Sequence, residues 1–172
     1  QEAKEILEAY KDVMESYLAV PVLAGTKTEM EKFAGALYTL TLEAMMPDGK
    51  ALQMGTSHQL GQNFSKAFNI KFLDQNEKEQ YAWQTSWGFT TRMIGALVML
   101  HGDDKGLVLP PKDAPTQVVI IPIPYKGTDA DQIQTKTKQL HKNLNKKGIR
   151  TVLDDRTEYT PGWKFNEWEL KG

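Results

Sequence analysis

The stretch ALYTLTLEAMMPDGKALQMGTS (residues 36–57) decides the fold class, because it reads as two strands joined by a turn. Apolar and polar side chains alternate over Ala36–Glu43, which is typical of a strand with one covered face. A turn signal follows at Pro47–Lys50, and a second strand pattern covers Ala51–Ser57. The sequence therefore predicts an antiparallel hairpin. Its polar face carries Thr, Glu and Gln, which fits either the floor of a binding site or a solvated surface.

Further helices and strands are predicted before and after this hairpin in the sequence. Helical spacing predicts an amphipathic helix over residues 2–18 and a short helix over 58–68. A second hairpin is predicted from residues 71–74 and 79–87. Because Trp83 and Trp87 alternate with the small polar side chains of that hairpin, both are expected to lie in the core.

A further helix is predicted over residues 92–100, with Thr90 and Thr91 as candidate caps. It is apolar nearly all round and is therefore expected to be buried. Arg92 places a cation in its first turn, where a helix N-terminus prefers an anion. Either Arg92 shares an anionic ligand with the helix, or its side chain simply reaches solvent.

The segment Pro110–Pro115 is a candidate linker, and the residue pattern that predicts secondary structure changes after it. Residues 117–123 form a β-branched run typical of a strand buried on both faces, and residues 129–147 form a lysine-rich helix. A second strand is predicted over 149–153. This β-α-β succession predicts two parallel strands joined by a right-handed crossover.

Composition limits the classes of function. The 172 residues have a net charge of −1, and they include no cysteine and three histidines. Disulfides, thiolate metal sites and a cysteine nucleophile are therefore excluded, and a zinc cage is not expected. No apolar window is long enough for a membrane span, so no membrane partner is expected.

The charge is unevenly distributed along the chain. Residues 1–115 carry a net charge of −4 and residues 116–172 one of +3. Either the second part faces an anionic partner, or surface lysines are unevenly scattered.

Long motifs carry a family resemblance. They are FAGALYTLTLEA (33–44), ALQMGTSHQLGQNFSKAF (51–68), YAWQTSWGFTTRMIGALVMLHGDDKGLVLPP (81–111) and DDRTEYTPGWKFNEWELKG (154–172). Together they resemble prolyl-tRNA synthetases of the archaeal and eukaryotic type, along nearly the whole chain. Residues 90–111 resemble the third signature motif of class II synthetases, in which a first-turn arginine meets an ATP phosphate.

The resemblance implies an α+β protein in two parts. Residues 1–111 would be the C-terminal part of the antiparallel class II catalytic sheet. Residues 112–172 would begin an α/β anticodon-binding domain. The family activates proline with ATP and transfers it to tRNA(Pro), and it needs no covalent enzyme intermediate. Catalysis would rest on positioning and on neutralising phosphate charge with the help of Mg²⁺.

The resemblance also implies roles for individual residues. The residues predicted to bind ATP are Gln53, Thr56, Thr90 and Arg92, with Arg92 as the catalytic residue. Those predicted to line the proline pocket are Phe33, His58, Ser86 and Gly88. From the residues alone, His58 would more simply satisfy local backbone at a helix start, and the motif around it favours the ligand role. Arg156 and Lys164, beside Trp163, are predicted to contact tRNA by stacking and phosphate contacts.

Several expectations complete this interpretation. The family's first two signature motifs are expected to lie outside this stretch, so the 172 residues alone are expected to be inactive. The whole enzyme is expected to be a cytoplasmic homodimer. No motif for NAD, flavin or haem, no zinc site and no DNA partner are predicted. A non-catalytic synthetase-like RNA-binding or regulatory protein remains the alternative, and a class II synthetase for another amino acid is a weaker one.

Overall fold

The computed structural model describes residues 1–125, 127 and 129–172. They divide into two compact units, Gln1–Leu100 and His101–Gly172. The predicted boundary between residues 111 and 112 lies inside the second of these units. No sheet crosses from one unit to the other among the described residues.

The first unit is built on a four-stranded antiparallel sheet. Its strands are β1 (Leu23–Thr26), β2 (Tyr38–Met45), β3 (Ala51–Gly61) and β6 (Gln84–Phe89), and they lie in the order β1-β2-β3-β6. The predicted hairpin of β2 and β3 is confirmed and forms the centre of the sheet. A smaller antiparallel pair, β4 (Lys71–Leu73) and β5 (Glu79–Tyr81), stands apart from it.

The N-terminal helix covers one face of the sheet. α1 runs over Glu2–Asp12 and continues as a π-helical turn over Val13–Tyr17, so the predicted helix over 2–18 is confirmed with a change of winding at its end. Ala3 and Leu7 of α1 are buried in one cluster with Leu42 and Met54 of the sheet. The opposite face of the sheet carries the polar side chains of the hairpin.

Two predicted elements have different bounds in the structure. β3 continues through His58 to Gly61, because His58 pairs with Thr39 on β2 and with Ser86 on β6. The helix predicted over 58–68 is therefore only α2, Asn63–Ala67. Likewise, the strand predicted over 79–87 is two strands. β5 pairs with β4 and β6 pairs with β3, and the chain leaves the ladder between them.

The predictions for Trp83, Trp87 and the helix over 92–100 as core elements are wrong. Trp83 is 70% exposed because it lies where the chain passes between β5 and β6, and Trp87 is 50% exposed because β6 is an edge strand. α3 (Arg92–His101) buries only one face, through Met93, Ala96 and Leu97. On its other side Ile94 is 62% exposed.

The second unit confirms the predicted β-α-β succession. β7 (Val118–Ile120) and β8 (Thr151–Leu153) pair in parallel, and α4 (Ala130–Lys146) lies between them in sequence. Asp129 caps α4 by accepting hydrogen bonds from the first-turn amides. α5 (Pro161–Leu170) ends the chain, with Thr160 as its cap. Of the longer predicted strand over 117–123, only three residues pair, and of these just Ile120 is buried.

No helix in the described part of the chain is both long enough and apolar enough to cross a bilayer.

Candidate functional site

The sheet's polar face, called the open face here, brings most of the predicted site residues together. In the first cross-strand row Thr39 of β2 pairs with His58 of β3, which pairs with Ser86 of β6. In the second row Thr41 pairs with Thr56, and Thr56 pairs with Gly88. Paired residues of neighbouring strands share a face, so these six positions form two adjacent rows across three strands. In a third row Glu43 pairs with Gln53.

An irregularity in β3 decides which side chains reach this face. The β2–β3 register shifts between Leu42 and Glu43, which pair with Gly55 and Gln53, so Met54 is the extra residue. Met54 is buried in the core on the α1 side. Gln53 and Thr56 are three residues apart and would normally face opposite sides of a strand. The bulge places both on the open face.

Aromatic side chains form a wall beside the first row. The rings of Phe33 and His58 are 4.9 Å apart between centroids, and those of Phe33 and Phe64 are 6.1 Å apart. Gly35 permits this packing: it has φ +86°, and a Cβ there would lie 2.9 Å from the Phe64 ring. The Phe33 side chain is half exposed, so the wall is open to an incoming apolar group.

The imidazole of His58 is held at both nitrogens. Nδ1 lies 2.9 Å from the Thr39 hydroxyl, and Nε2 lies 3.2 Å from the Thr56 hydroxyl. Burial lowers the pKa of His58 below its ordinary value, because desolvation disfavours the imidazolium. The two hydroxyls fix the orientation of the ring beside the aromatic wall, and its burial favours the neutral form.

The first turn of α3 is bound to strand β3 at Gln53, which belongs to the third row of this face. Thr90 caps the helix by accepting a hydrogen bond from the Arg92 amide at 3.3 Å, which confirms its predicted capping role. The Arg92 guanidinium donates from Nη1 to the Gln53 backbone carbonyl at 2.9 Å. Among the described residues this is its one hydrogen-bonding partner. The remaining N–H groups can therefore donate to a ligand, and a guanidinium offers phosphate oxygens several donors at once.

The structure thus gathers all eight residues predicted to bind ATP or proline on the open face or at its edge, and their individual roles stay predictions. It adds one buried residue that the sequence-based list lacked. Thr39 is 2% exposed and bonds both to His58 and to the Phe33 amide. The alternation of β2 indicated its face, but nothing in the sequence paired it with a histidine 19 residues away. Lys27 and Glu43 form a second unpredicted contact at 2.5 Å.

The second unit places the two predicted tRNA contacts in an ion-pair network. Arg156 donates to Asp154 at 2.8 Å and 2.6 Å and to Glu167 at 2.5 Å. Lys164 is 3% exposed, and its ammonium group donates to the Asp154 carbonyl at 3.0 Å. This burial gives Lys164 a structural role and removes the exposed cation on which the predicted phosphate contact depends. For Arg156 the tRNA contact stays a prediction.

Asp154 is the centre of this network. It also accepts a hydrogen bond from the Trp168 indole at 2.9 Å. The hydrogen bonds from Arg156 hold the pKa of Asp154 well below its usual range, and they outweigh the opposing effect of desolvation. Outside the network, Tyr159 and Trp163 stack with ring centroids 3.9 Å apart, and the Arg156 guanidinium lies 5.0 Å from the Tyr159 ring centre. An aromatic surface beside a guanidinium suits a stacked base.

Comparison with known protein families agrees with this architecture. Residues 1–101 match the model of the tRNA synthetase class II core domain (G, H, P, S and T). The chain belongs to this class II tRNA synthetase family. Residues 117–172 match the model of an anticodon binding domain. The predicted fold class, a class II catalytic sheet followed by an anticodon-binding domain, is thereby confirmed.

Individual relatives narrow the likeness to one group of synthetases. The chain is 57% identical over 171 residues to a proline–tRNA ligase of Cenarchaeum symbiosum, and 55% identical over 172 residues to that of Natranaerobius thermophilus. These matches cover 99% and 100% of this chain, and 36% and 35% of the relatives. The resemblance to prolyl-tRNA synthetases is thus confirmed, and the chain spans about a third of the length of the curated relatives it matches.

Solved structures show the same likeness in three dimensions. A crystal structure of prolyl-tRNA synthetase from Cryptosporidium parvum, complexed with L-proline and AMP, matches with a TM-score of 0.88 and 50% identity. A second structure of that enzyme, complexed with halofuginone and AMPPNP, matches equally well. The first match covers 99% of this chain and 37% of the other.

Proposed function

We propose that this chain supplies the proline- and ATP-binding face of a proline–tRNA ligase, together with part of its anticodon-binding domain. The observation that carries the proposal is the Arg92–Gln53 contact, which holds a guanidinium beside two rows of hydroxyl and imidazole groups. Support comes from the Cryptosporidium parvum relative, which is described as a complex with L-proline and AMP.

The proposed proline pocket is the wall of Phe33 and His58 with the first row of the open face. Proline has a compact apolar ring and two charged groups, so it suits an aromatic wall beside a few polar groups. Ser86 would supply a hydroxyl at the floor. At Gly88 a Cβ would meet no other atom within 4 Å, which leaves room for a ligand to approach the strand.

The proposed ATP site lies at the second and third rows and the first turn of α3. In the activation step an oxygen of the proline carboxylate attacks the α-phosphorus of ATP. The bond from this phosphorus to the bridging oxygen breaks, and pyrophosphate leaves. Negative charge is brought together in this step, so the Arg92 guanidinium would stabilise its transition state. The tRNA hydroxyl then attacks the prolyl carbonyl, and AMP leaves.

Mg²⁺ is proposed to arrive with the phosphates of ATP. The described residues contain no group of three or more His, Asp or Glu side chains arranged to hold a metal ion. Mg²⁺ commonly binds through substrate phosphates, so the phosphates of ATP would supply its main ligands.

The partners of the whole protein belong to the same proposal. Its second unit would bind tRNA(Pro), which is supported by the match to an anticodon binding domain and by the net charge of +3 over residues 116–172. The complete enzyme would be a homodimer in the cytoplasm, as the family resemblance implies.

A segment exchange tests the function. The 171 aligned residues of the archaeal proline–tRNA ligase are replaced by those of this chain, giving a chimera that retains the rest of the relative. ATP–pyrophosphate exchange is then measured with each of the twenty amino acids. We expect exchange that depends on proline and exceeds the rate with any other amino acid.

A folded chimera without exchange would contradict the proposal. If that chimera still bound tRNA(Pro), the result would favour the non-catalytic RNA-binding alternative. A preference for a different amino acid would indicate another class II synthetase. The unmodified archaeal enzyme serves as the positive control.

A further inference from the structure

A chain of hydrogen bonds runs through the first two rows of the open face. The backbone amide of Phe33 donates to the Thr39 hydroxyl oxygen at 3.0 Å. That hydroxyl lies 2.9 Å from Nδ1 of His58, and Nε2 of the same ring lies 3.2 Å from the Thr56 hydroxyl. The four groups come from three segments of the chain, and the buried Thr39 lies at their centre.

The direction of these bonds follows from the backbone amide, which can only donate. The Thr39 oxygen accepts the hydrogen bond from the Phe33 amide, so the hydroxyl proton is available for a second bond. Among the described residues the one other partner of the Thr39 side chain is His58. A buried hydroxyl proton without an acceptor costs free energy, so Thr39 donates to Nδ1.

The protonation state of the ring follows from this bond. Nδ1 accepts a hydrogen bond from the Thr39 hydroxyl and therefore carries no proton of its own. In the neutral imidazole the proton is then on Nε2, which donates to the Thr56 oxygen. Burial lowers the pKa of His58, which agrees with a neutral ring. The hydroxyl proton of Thr56 is left to donate to a further acceptor.

We propose that Thr39 is a positioning residue: it fixes His58 in the Nε2–H tautomer and thereby turns the Thr56 hydroxyl into a donor aimed at an anionic oxygen of the substrate. The part concerning substrate rests on the proposed function, whereas the tautomer does not. A carboxylate or phosphate oxygen is an acceptor only, so it suits a site whose hydroxyl is already committed to donate.

The same chain of bonds couples the aromatic wall to the open face. Thr39 receives the amide of Phe33, so the residue that orients the imidazole also anchors the backbone that presents the Phe33 ring. A change at Thr39 therefore alters both the position of the wall and the proton on the ring. Two substitutions of Thr39 distinguish the effects of losing its hydroxyl group from the effects of losing its packing. Thr39→Val keeps the side-chain shape without the hydroxyl, and Thr39→Ser keeps the hydroxyl.

The tautomer is tested on the 172-residue chain without any substrate. Long-range ¹H–¹⁵N correlation spectra report which ring nitrogen of His58 is protonated, and His58→Gln assigns its signals. At a pH where the ring is neutral, we expect protonation at Nε2 in the unmodified chain and in Thr39→Ser. Thr39→Val should give a mixture of tautomers or protonation at Nδ1. Protonation mainly at Nδ1 in the unmodified chain would overturn the proposal, whether or not any variant folds.

The effect on substrate is tested in the chimera described above. Thr39→Val should raise KM for proline or ATP by about tenfold, which corresponds to one lost hydrogen bond, while Thr39→Ser should stay within about twofold of the parent. Unchanged KM values in a folded Thr39→Val chimera would overturn the substrate part. A chimera that has the expected tautomer but shows no exchange would instead contradict the proposed function.

Discussion

Arg92 and Gln53 join two parts of the first unit that are 39 residues apart in sequence. The guanidinium of Arg92, in the first turn of α3, donates to the backbone carbonyl of Gln53 on β3 at 2.9 Å. This contact explains why a cation occupies a helix N-terminus, where it is electrostatically disfavoured. The helix holds the guanidinium at β3 beside the third row, and a phosphate bound there would be attracted by the guanidinium and by the helix N-terminus.

The first prediction concerns this guanidinium. In the chimera Arg92→Ala should lower kcat for ATP–pyrophosphate exchange by about 10²- to 10³-fold, because a donor to developing charge is lost. The kcat of Arg92→Lys should lie between those of the unmodified chimera and Arg92→Ala, since an ammonium keeps the charge without the planar set of donors. Steady-state kinetics with proline checks this, and circular dichroism confirms that each variant is folded. Wild-type kcat in Arg92→Ala would remove Arg92 from the catalytic machinery.

The second prediction concerns Gly88. Its backbone φ is not in the left-handed region, and a Cβ there would have no neighbour within 4 Å, so Gly88→Ala should leave the free energy of unfolding unchanged or raise it slightly. In the chimera the added methyl group should lower exchange by about ten- to a hundredfold, because it occupies space that the ligand needs. Urea unfolding and exchange kinetics together measure both effects.

Gly55 provides a matched control for Gly88. A Cβ at Gly55 would lie 3.1 Å from Cδ2 of Tyr10, on the α1 side of the sheet. Gly55→Ala should therefore change the unfolding free energy, whereas Gly88→Ala should change exchange. If Gly88→Ala had no effect on exchange, no ligand would approach the sheet at that strand.

The third prediction concerns the acid stability of the second unit. Asp154 has a pKa depressed by Arg156, so its carboxylate contributes stability above the ordinary aspartate pKa of about 3.9. That contribution is lost as the pH falls below this value toward the lower pKa of the folded state. At pH 7, Asp154→Asn should cost about 3 kcal/mol in the free energy of unfolding, because it leaves the buried Lys164 ammonium without its carboxylate counter-charge.

Urea unfolding at a series of pH values, followed by tryptophan fluorescence, measures this dependence. The Trp168 indole bonds to Asp154 and is therefore a local reporter. The unmodified chain should lose stability more steeply between about pH 4 and pH 2 than Asp154→Asn does. Asp155→Asn, a neighbouring exposed aspartate with the same change of charge, is the control. Equal acid dependence in all three proteins would show that Asp154 does not carry the effect.

The fourth prediction concerns Arg150, which holds the proline-rich segment of the second unit. Its Nη2 donates to the carbonyls of Pro111, Lys112 and Ala114 at 3.0, 2.7 and 2.8 Å. Arg150→Ala should release this segment and speed tryptic cleavage after Lys112 by about tenfold, which corresponds to about 1.4 kcal/mol of local stability. Lys146→Ala, at an exposed position on α4, should leave the cleavage rate unchanged. An unchanged rate in Arg150→Ala would mean that other contacts hold the segment.

Local sequence patterns predicted the elements whose periodicity is strong. The β2–β3 hairpin followed from alternation and a Pro-Asp-Gly turn, and α4 followed from the lysine-rich helical pattern over residues 129–147. The extent of β3 could not be predicted in this way. Residues 58–61 are extended because β2 and β6 pair with them, and this tertiary effect overrides local preference.

The arrangement of the candidate site likewise depends on tertiary contacts that local sequence patterns do not predict. The family resemblance predicted the individual site residues. It did not predict that Gln53 and Thr56 share a face, because that depends on the bulge at Met54. One extra residue in a strand leaves no clear signal in the sequence. Thr39 was missed because its partner is 19 residues away. Lys164 was expected at an RNA surface, and its burial depends on Asp154, a contact that composition does not reveal.

The most direct measurement is a crystal structure of the chimera with proline and AMP bound. We expect the AMP phosphate within about 3 Å of the Arg92 guanidinium, at hydrogen-bonding distance. The proline ring should lie against Phe33 and His58, with the Thr56 hydroxyl donating to a ligand oxygen. Ligands bound away from the open face, or a phosphate with no contact to Arg92, would contradict the assignment of this face as the substrate site.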